Sequence, residues 1–188
     1  MLHKSLNKDM LLSLLNDYDP LDSVEQKHKE EMIAFCIGHS DCFERSCKKG
    51  HFTASAWVVN SNQSEILLMY HKKLDMWLQL GGHADGNDNL LLVAIKEVLE
   101  ESGLTSVEPI TSKIFDLGIH KIPKYKDEVE HYHFDIRFLL KSMTNDILIK
   151  NEESIEISWF PANKNFLPTN NDDILRMLDK WLLYKSKI

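Results

Sequence analysis

Apolar positions at helical spacing open the chain. Leu6, Met10, Leu11, Leu14 and Leu15 form one stripe, the signature of an amphipathic helix. Asp19-Pro20 ends it, because proline cannot continue a helix and disfavours helical backbone just before itself. Ser23-x-x-Gln26 then reads as a capping box, opening a second helix with Met32, Ile33, Cys36 and Ile37 on its buried side. Residues 42–49 are polar and predict a loop. At His51 the period drops to two. Residues 52–60 and 65–71 predict adjacent strands, with Asn60-Ser61-Asn62-Gln63 as the turn between them. A helical stretch follows over 90–104, then a strand over 110–117. Residues 118–130 carry Pro123 and no periodicity, which predicts a long loop. In the next strand Tyr132, Phe134, Ile136 and Phe138 alternate with His131, His133, Asp135 and Arg137. A strand over 155–160 and a last amphipathic helix with Ile174, Leu175, Leu178, Trp181 and Leu182 complete the series. Strands, helix, strands, helix is α/β layering.

At 188 residues the chain holds one substantial core with an appendage. Residues 1–50 form an N-terminal helical extension and 51–188 the main domain. The extension can cover that domain, shape a substrate mouth, or supply a homodimer contact, and the sequence does not choose. The polar stripe of His131, His133, Asp135 and Arg137 either meets water, as one face of many antiparallel sheets does, or lines a cleft. In the second case His131 and His133 are the side chains that reach a substrate.

The helical stretch carries the sharpest chemistry. Glu97, Glu100 and Glu101 stand at i, i+3 and i+4, within roughly 100° of arc at 3.6 residues per turn. Leu91, Leu92, Ile95, Val98 and Leu99 are expected on the opposite, core-facing side. Like charges at this spacing repel and destabilise a helix. A hard divalent cation with oxygen ligands would relieve them; a solvated acidic face is the other reading.

The spacing extends beyond the acids. Gly82, Glu97, Val98, Glu100, Glu101, Gly103 and Leu104 match most fixed positions of G-x5-E-x7-R-E-U-x-E-E-x-G-U, with U aliphatic. The segment resembles the Nudix box over these 23 residues, and the flanking strands extend the likeness to about residue 186. Two positions depart: Asp88 stands in place of Glu, and Lys96 in place of Arg. Asp88 suits a helix N-cap. Lys96 is a mobile point charge where Arg would offer a planar fork for a neighbouring carboxylate. Upstream, Leu80 replaces the usual proline of Trp77-Leu78-Gln79-Leu80-Gly81-Gly82.

The resemblance implies an α/β/α sandwich with a mixed β-sheet, and hydrolysis of a diphosphate linkage in a nucleoside diphosphate joined to another moiety. It implies Glu97, Glu100 and Glu101 as catalytic residues. It implies a divalent metal, Mg²⁺ or alternatively Mn²⁺, on those carboxylates with the backbone carbonyl near Gly82. The proton acceptor is a box glutamate or a loop acid, so Glu97, Glu128, Glu130, Glu152 and Glu153 are candidates. A nucleotide-binding sensor that has lost turnover is the alternative, motivated by Lys96 and Leu80. Lys72, Lys73, Lys121, Lys124 and Lys126 could meet phosphates, and Trp57, Trp77, Tyr125 and Tyr132 could stack a base, although Trp57 reads as strand core.

Composition narrows the partners. Hydrophobic content of 43% and charged content of 27% are ordinary for a globular chain. A net charge of −7 and a pI near 5.7 argue against duplex nucleic acid, whose electrostatic footprint is basic. The partner that the resemblance implies, a small nucleotide-type diphosphate, is compatible with this charge. No run of eighteen apolar residues and no signal-peptide pattern is visible, so the expectation is no membrane and a cytoplasmic location. Three cysteines suggest reduced thiols. Cys36, His39, Cys42, Cys47 and His51 gather five soft donors within sixteen residues, a density compatible with zinc, against ordinary packing for Cys36.

Overall fold

The computed structural model describes residues 2–124 and 129–187. Tyr125, Lys126 and Glu128 lie outside the described residues, as does the side chain of Leu6. The elements in chain order are α1 (Leu2–Asp17), α2 (Ser23–Gly38), β1 (Gly50–Val59), β2 (Glu65–His71), β3 (Met76–Leu78), β4 (Leu80–His83), α3 (Leu90–Ser102), β5 (Val107–Pro109), β6 (Asp116–Ile122), β7 (His131–Ser142), β8 (Ser154–Pro161) and α4 (Asp172–Lys185). They form a mixed β-sheet with flanking helices and an N-terminal helical segment. Two compact units divide the chain, and β1, β4, α3 and β7 each contribute to both.

The first unit comprises Met1–Ser55, Gly81–Ala94 and Thr111–Phe138. Its strands lie in the order β4, β1, β7, β6. Gly50 sits against Tyr132 and Phe134, while Thr53 and Ser55 bond Asp135. The two chains therefore advance together, and β1 and β7 are parallel. β6 pairs with β7 antiparallel, from Asp116 opposite Arg137 to Ile122 opposite His131. Side chains alternate between faces along each strand. Phe52 and Phe134 take one face, where the Phe35 ring of α2 stacks on Phe134 with centroids 4.1 Å apart and meets Phe52 edge-on at 5.8 Å. His51, Thr53, Ser55, His131, His133, Asp135 and Arg137 take the other. α1 is tied to the end of α2 by Lys8, whose Nζ donates to the carbonyls of Cys36 and His39 at 2.7 and 2.5 Å.

Three local expectations change. Asp22, not Ser23, caps α2, accepting from the amides of Val24 and Glu25. The buried side of α2 is Glu25, Met32, Phe35 and Cys36, and Ile37 is exposed. The strand expected over 110–117 begins instead at Asp116 and continues through Ile122. Five residues of the expected loop thus belong to β6.

The second unit comprises Ala56–Leu80, Ile95–Ile110 and Leu139–Ile188. Here β2 pairs antiparallel with β3 on one side, and with β8 from Glu65 opposite Pro161 to His71 opposite Ser154. β5 closes on the end of β7, with Val107 opposite Ser142. Trp57 is buried core, as its strand position suggests. α4 buries Ile174, Met177, Leu178, Lys180 and Trp181, and Leu182 is exposed. Gly103 ends α3 with φ +71, the left-handed conformation favoured just past a helix. A Cβ there would stand 2.7 Å from the Ile149 side chain, so the glycine of the box motif has a structural reason.

Candidate functional site

Two clusters carry chemistry, and each lies within one unit. The first is on α3. The cap of this helix is Asn89 rather than Asp88: its Oδ1 accepts from the Leu92 amide at 3.2 Å, and its carbonyl from Val93. The buried side of α3 is Leu90, Val93, Ala94, Val98, Glu101 and Ser102. Leu92, expected in the core, is 54% exposed. The acids are therefore not on a common outer face. Glu101 is 2% exposed, Glu97 is half-buried, and Glu100 points outward.

Burial matters for the charge state. It pushes the Glu97 carboxyl above its ordinary pKa, and the Lys96 ammonium partly offsets that. Lys96 Nζ lies 3.2 Å from Glu97 and 3.0 Å from Glu100. These bonds, to Glu100 and then to Glu97, raise the lysine's own pKa. One exposed cation thus serves two of the three acids. Glu153, at the turn before β8, adds negative potential at Glu97. The donors are carboxylate oxygens, half-buried in Glu97 and buried in Glu101. That set suits a hard cation that keeps part of its water shell.

The second cluster is the polar face of the first unit. Arg137 is 1% exposed. Its Nη1 donates to Asp116 at 2.8 Å, its Nε to Asp135 at 2.9 Å, and its Nη2 meets His120 Nε2 at 2.8 Å. Asp135 also accepts from Thr53 at 2.9 Å and from Ser55 at 2.7 Å. The stripe that alternation predicted does not meet water at this end: it is a satisfied buried ion network.

At its other end the stripe is histidine. His131 Nδ1 lies 2.8 Å from the Val129 carbonyl, and its Nε2 lies 3.1 Å from Nε2 of His133. The His51 ring centroid is 4.8 Å from that of His133 and 5.1 Å from those of His131 and His83. Burial, followed by the neighbouring His83 and His131, drives His51 down to about 4. Burial, with His83, His51 and His131, drives His133 down to about 2. Both rings are uncharged at neutral pH.

The predicted site residues are thus distributed. Glu97, Glu100 and Glu101 share α3, Gly82 is in β4, and His131 and His133 begin β7. The soft donors of the N-terminal third do not assemble. His39 stacks on Phe35 and bonds its carbonyl. Cys36 and Cys42 hydrogen-bond each other. His51 joins the histidines instead. Glu130 pairs with Lys121 at 2.9 Å. His51, His120 and Asp116 were not foreseen as parts of the stripe. The available signal was the period of two at His51, Thr53 and Ser55, which matches His131, His133 and Asp135 on a parallel neighbour.

Comparison with known proteins agrees with this fold. The NUDIX domain family model matches residues 49–182. A Bacillus subtilis (strain 168) protein, provisionally named as an 8-oxo-dGTP diphosphatase, is 33% identical over 84 residues, 44% of this chain. The match spans 52% of that relative, about half its length. A solved Caenorhabditis elegans Ap4A hydrolase binary complex has a similar fold, with TM-score 0.55 at 14% identity over 73% of this chain and 98% of that one. A UDP-X diphosphatase structure gives TM-score 0.54 at 13% identity over 99% and 96%, so the likeness there includes the N-terminal helices. No helix among the described residues is long and apolar enough to cross a membrane.

Proposed function

The chain belongs to the NUDIX domain family, and from that premise we propose that it is a metal-dependent pyrophosphohydrolase acting on a nucleoside diphosphate linked to another moiety. One observation carries the reading: α3 gathers three carboxylates within two turns and holds Glu97 and Glu101 out of bulk water beside Glu100. Keeping carboxylates buried or half-buried next to one another costs stability. A binding role for a cation offsets that cost, whereas a solvated surface would expose all three.

Divalent metal use is typical of the family; Glu97, Glu100 and Glu101 would hold Mg²⁺, with Mn²⁺ an alternative. When bound, the ion neutralises charge developing on phosphoryl oxygens. The remaining work belongs to the chain. Glu97, whose carboxyl burial holds above its ordinary pKa, would accept and release a proton at its carboxylate oxygens. Glu153 is the further acid whose field reaches it, which makes it the first loop residue to test as a proton acceptor. The small, diphosphate-bearing partner is supported by the family match and the names of its relatives, and the acidic balance of the chain is compatible with it.

The test is a hydrolysis panel with added Mg²⁺: 8-oxo-dGTP and ordinary nucleoside triphosphates, dinucleoside polyphosphates, UDP-linked compounds and ADP-ribose. Turnover of one class, abolished by a chelator, is the expected result. A second reading, a nucleotide sensor without turnover, draws on Lys96 bonding two of the three acids. Tight binding across the panel without product would favour it.

A further inference from the structure

We propose that His51, His131 and His133 form a three-histidine site for a late first-row divalent cation of the zinc class, built from donors other than the carboxylates of α3. Each offers one ring nitrogen, and these atoms all lie within 4.8 Å of one another. Among the described residues this is the one group of three or more histidine, cysteine or carboxylate donors so gathered.

The chemistry of each ring fits. His131 Nδ1 lies 2.8 Å from the Val129 carbonyl. A proton on Nδ1 would bond it, leaving the Nε2 lone pair to point at His133. Such an outer hydrogen bond is what normally orients a metal-ligating histidine and fixes its tautomer. The Nε2 atoms of His131 and His133 stand 3.1 Å apart. Two nitrogens each about 2.0–2.1 Å from one tetrahedral zinc would be separated by close to that distance.

His51 supplies the independent observation. It is 3% exposed, yet neither Nδ1 nor Nε2 has a hydrogen-bond partner. A neutral imidazole carries one donor and one acceptor, and buried polar groups in folded proteins are almost always satisfied. An all-nitrogen donor set favours zinc, copper, nickel or iron over magnesium. Three protein ligands would leave a fourth position open for water or a substrate oxygen.

The site is independent of the hydrolase reading and survives its failure. The full chain is stripped with a chelator, then titrated with Zn²⁺ under excess Mg²⁺, and bound metal is counted by mass spectrometry. We expect one zinc per chain. His131→Gln, a partly exposed position, should weaken binding by at least the ~10–100-fold lost when an outer partner of a ligating histidine is removed, with an unchanged circular dichroism spectrum. Glu97→Gln and Cys42→Ser should keep their zinc. A second measurement needs no variant: Co²⁺ added to the wild-type chain should broaden the imidazole NMR signals of His51, His131 and His133 before those of the remaining histidines. No zinc bound by the folded wild type would overturn the proposal, as would undiminished binding by His131→Gln. Zinc lost from Glu97→Gln or Cys42→Ser but kept by His131→Gln would place the metal elsewhere.

Discussion

The carboxylates of α3 and the polar face of the first unit both collect charged groups in one place, but they settle the cost differently. On the polar face every charge has an opposite partner. Arg137 faces Asp116 and Asp135, and Asp135 has the hydroxyls of Thr53 and Ser55 besides. On α3 Glu97 and Glu100 share one lysine, which is 58% exposed, and Glu101 is buried beside them. A network satisfied in itself has nothing left to offer a ligand and holds strands together. Acids crowded at i, i+3 and i+4 on one helix repel one another, and a bound cation would relieve them. The histidines at the end of the polar face interrupt the first pattern, since His51 lacks partners that Asp135 has in abundance.

The largest effect should come from breaking the satisfied region. Arg137→Met keeps much of the side-chain volume and removes the cation between two buried aspartates. Leaving buried charge uncompensated costs about 3–5 kcal/mol, read as a lower urea midpoint with an unchanged m-value. A loss under 1 kcal/mol would show that water already reaches Asp116 and Asp135, and would erase the contrast with α3.

Next is Glu101→Gln among the crowded acids of α3, where the same comparison predicts the opposite. Shape is kept and one negative charge is lost from the proposed metal shell. Metal stabilisation of a transition state is worth several kcal/mol, so kcat should fall by about a hundredfold or more on whichever substrate the panel identifies. Stability without metal should hold or rise by about a few tenths of a kcal/mol, because the i, i+4 repulsion with Glu97 is relieved. Near-wild-type turnover at saturating Mg²⁺ would remove Glu101 from the site.

Gly118→Ala sharpens the first region further. A Cβ at this position would lie 2.4 Å from Arg137 Nη2. The end of an arginine usually yields, but this one is held by Asp116, Asp135 and His120. Overpacking of that kind costs about 1–3 kcal/mol, measured by thermal unfolding, and the loss should shrink in an Arg137→Met background. Equal losses in both backgrounds would mean that the guanidinium is not what fills the space.

The two regions also differ in how far the sequence revealed them. The acids of α3 sit on one local element, so their spacing alone brought Glu97, Glu100 and Glu101 to notice. Which way that helix faces was not local: Val93 and Ala94 are buried and Leu92 is exposed. Counting leucines therefore rotated the core side away from its place. The polar face of β7 was legible as a period of two, but its meaning was not. Its partners come from β1, about eighty residues earlier, and from β6, whose start was hidden because 110–115 mimic a strand. Parallel pairing of β1 with β7 is a long-range fact, and no short window of sequence contains it.

The smallest effect belongs to Lys96→Arg, and it tests whether the crowding on α3 is tuned or incidental. Lys96 stands where the family pattern has arginine, and it bonds Glu97 at 3.2 Å and Glu100 at 3.0 Å as a single point charge. A guanidinium could hold the same two carboxylates through separate N–H groups in a fixed plane. The position is exposed, and exposed pairs are worth about 0.2–1 kcal/mol, so a change of a few-fold is the scale to expect. Better orientation of Glu97 should leave kcat unchanged or raise it, with KM little altered, as steady-state kinetics would show. A sharp fall in kcat with intact folding would mean that the mobility of the lysine matters. In that case the acids are balanced around a cation that can move aside, and the departure from the family pattern is part of how this site works.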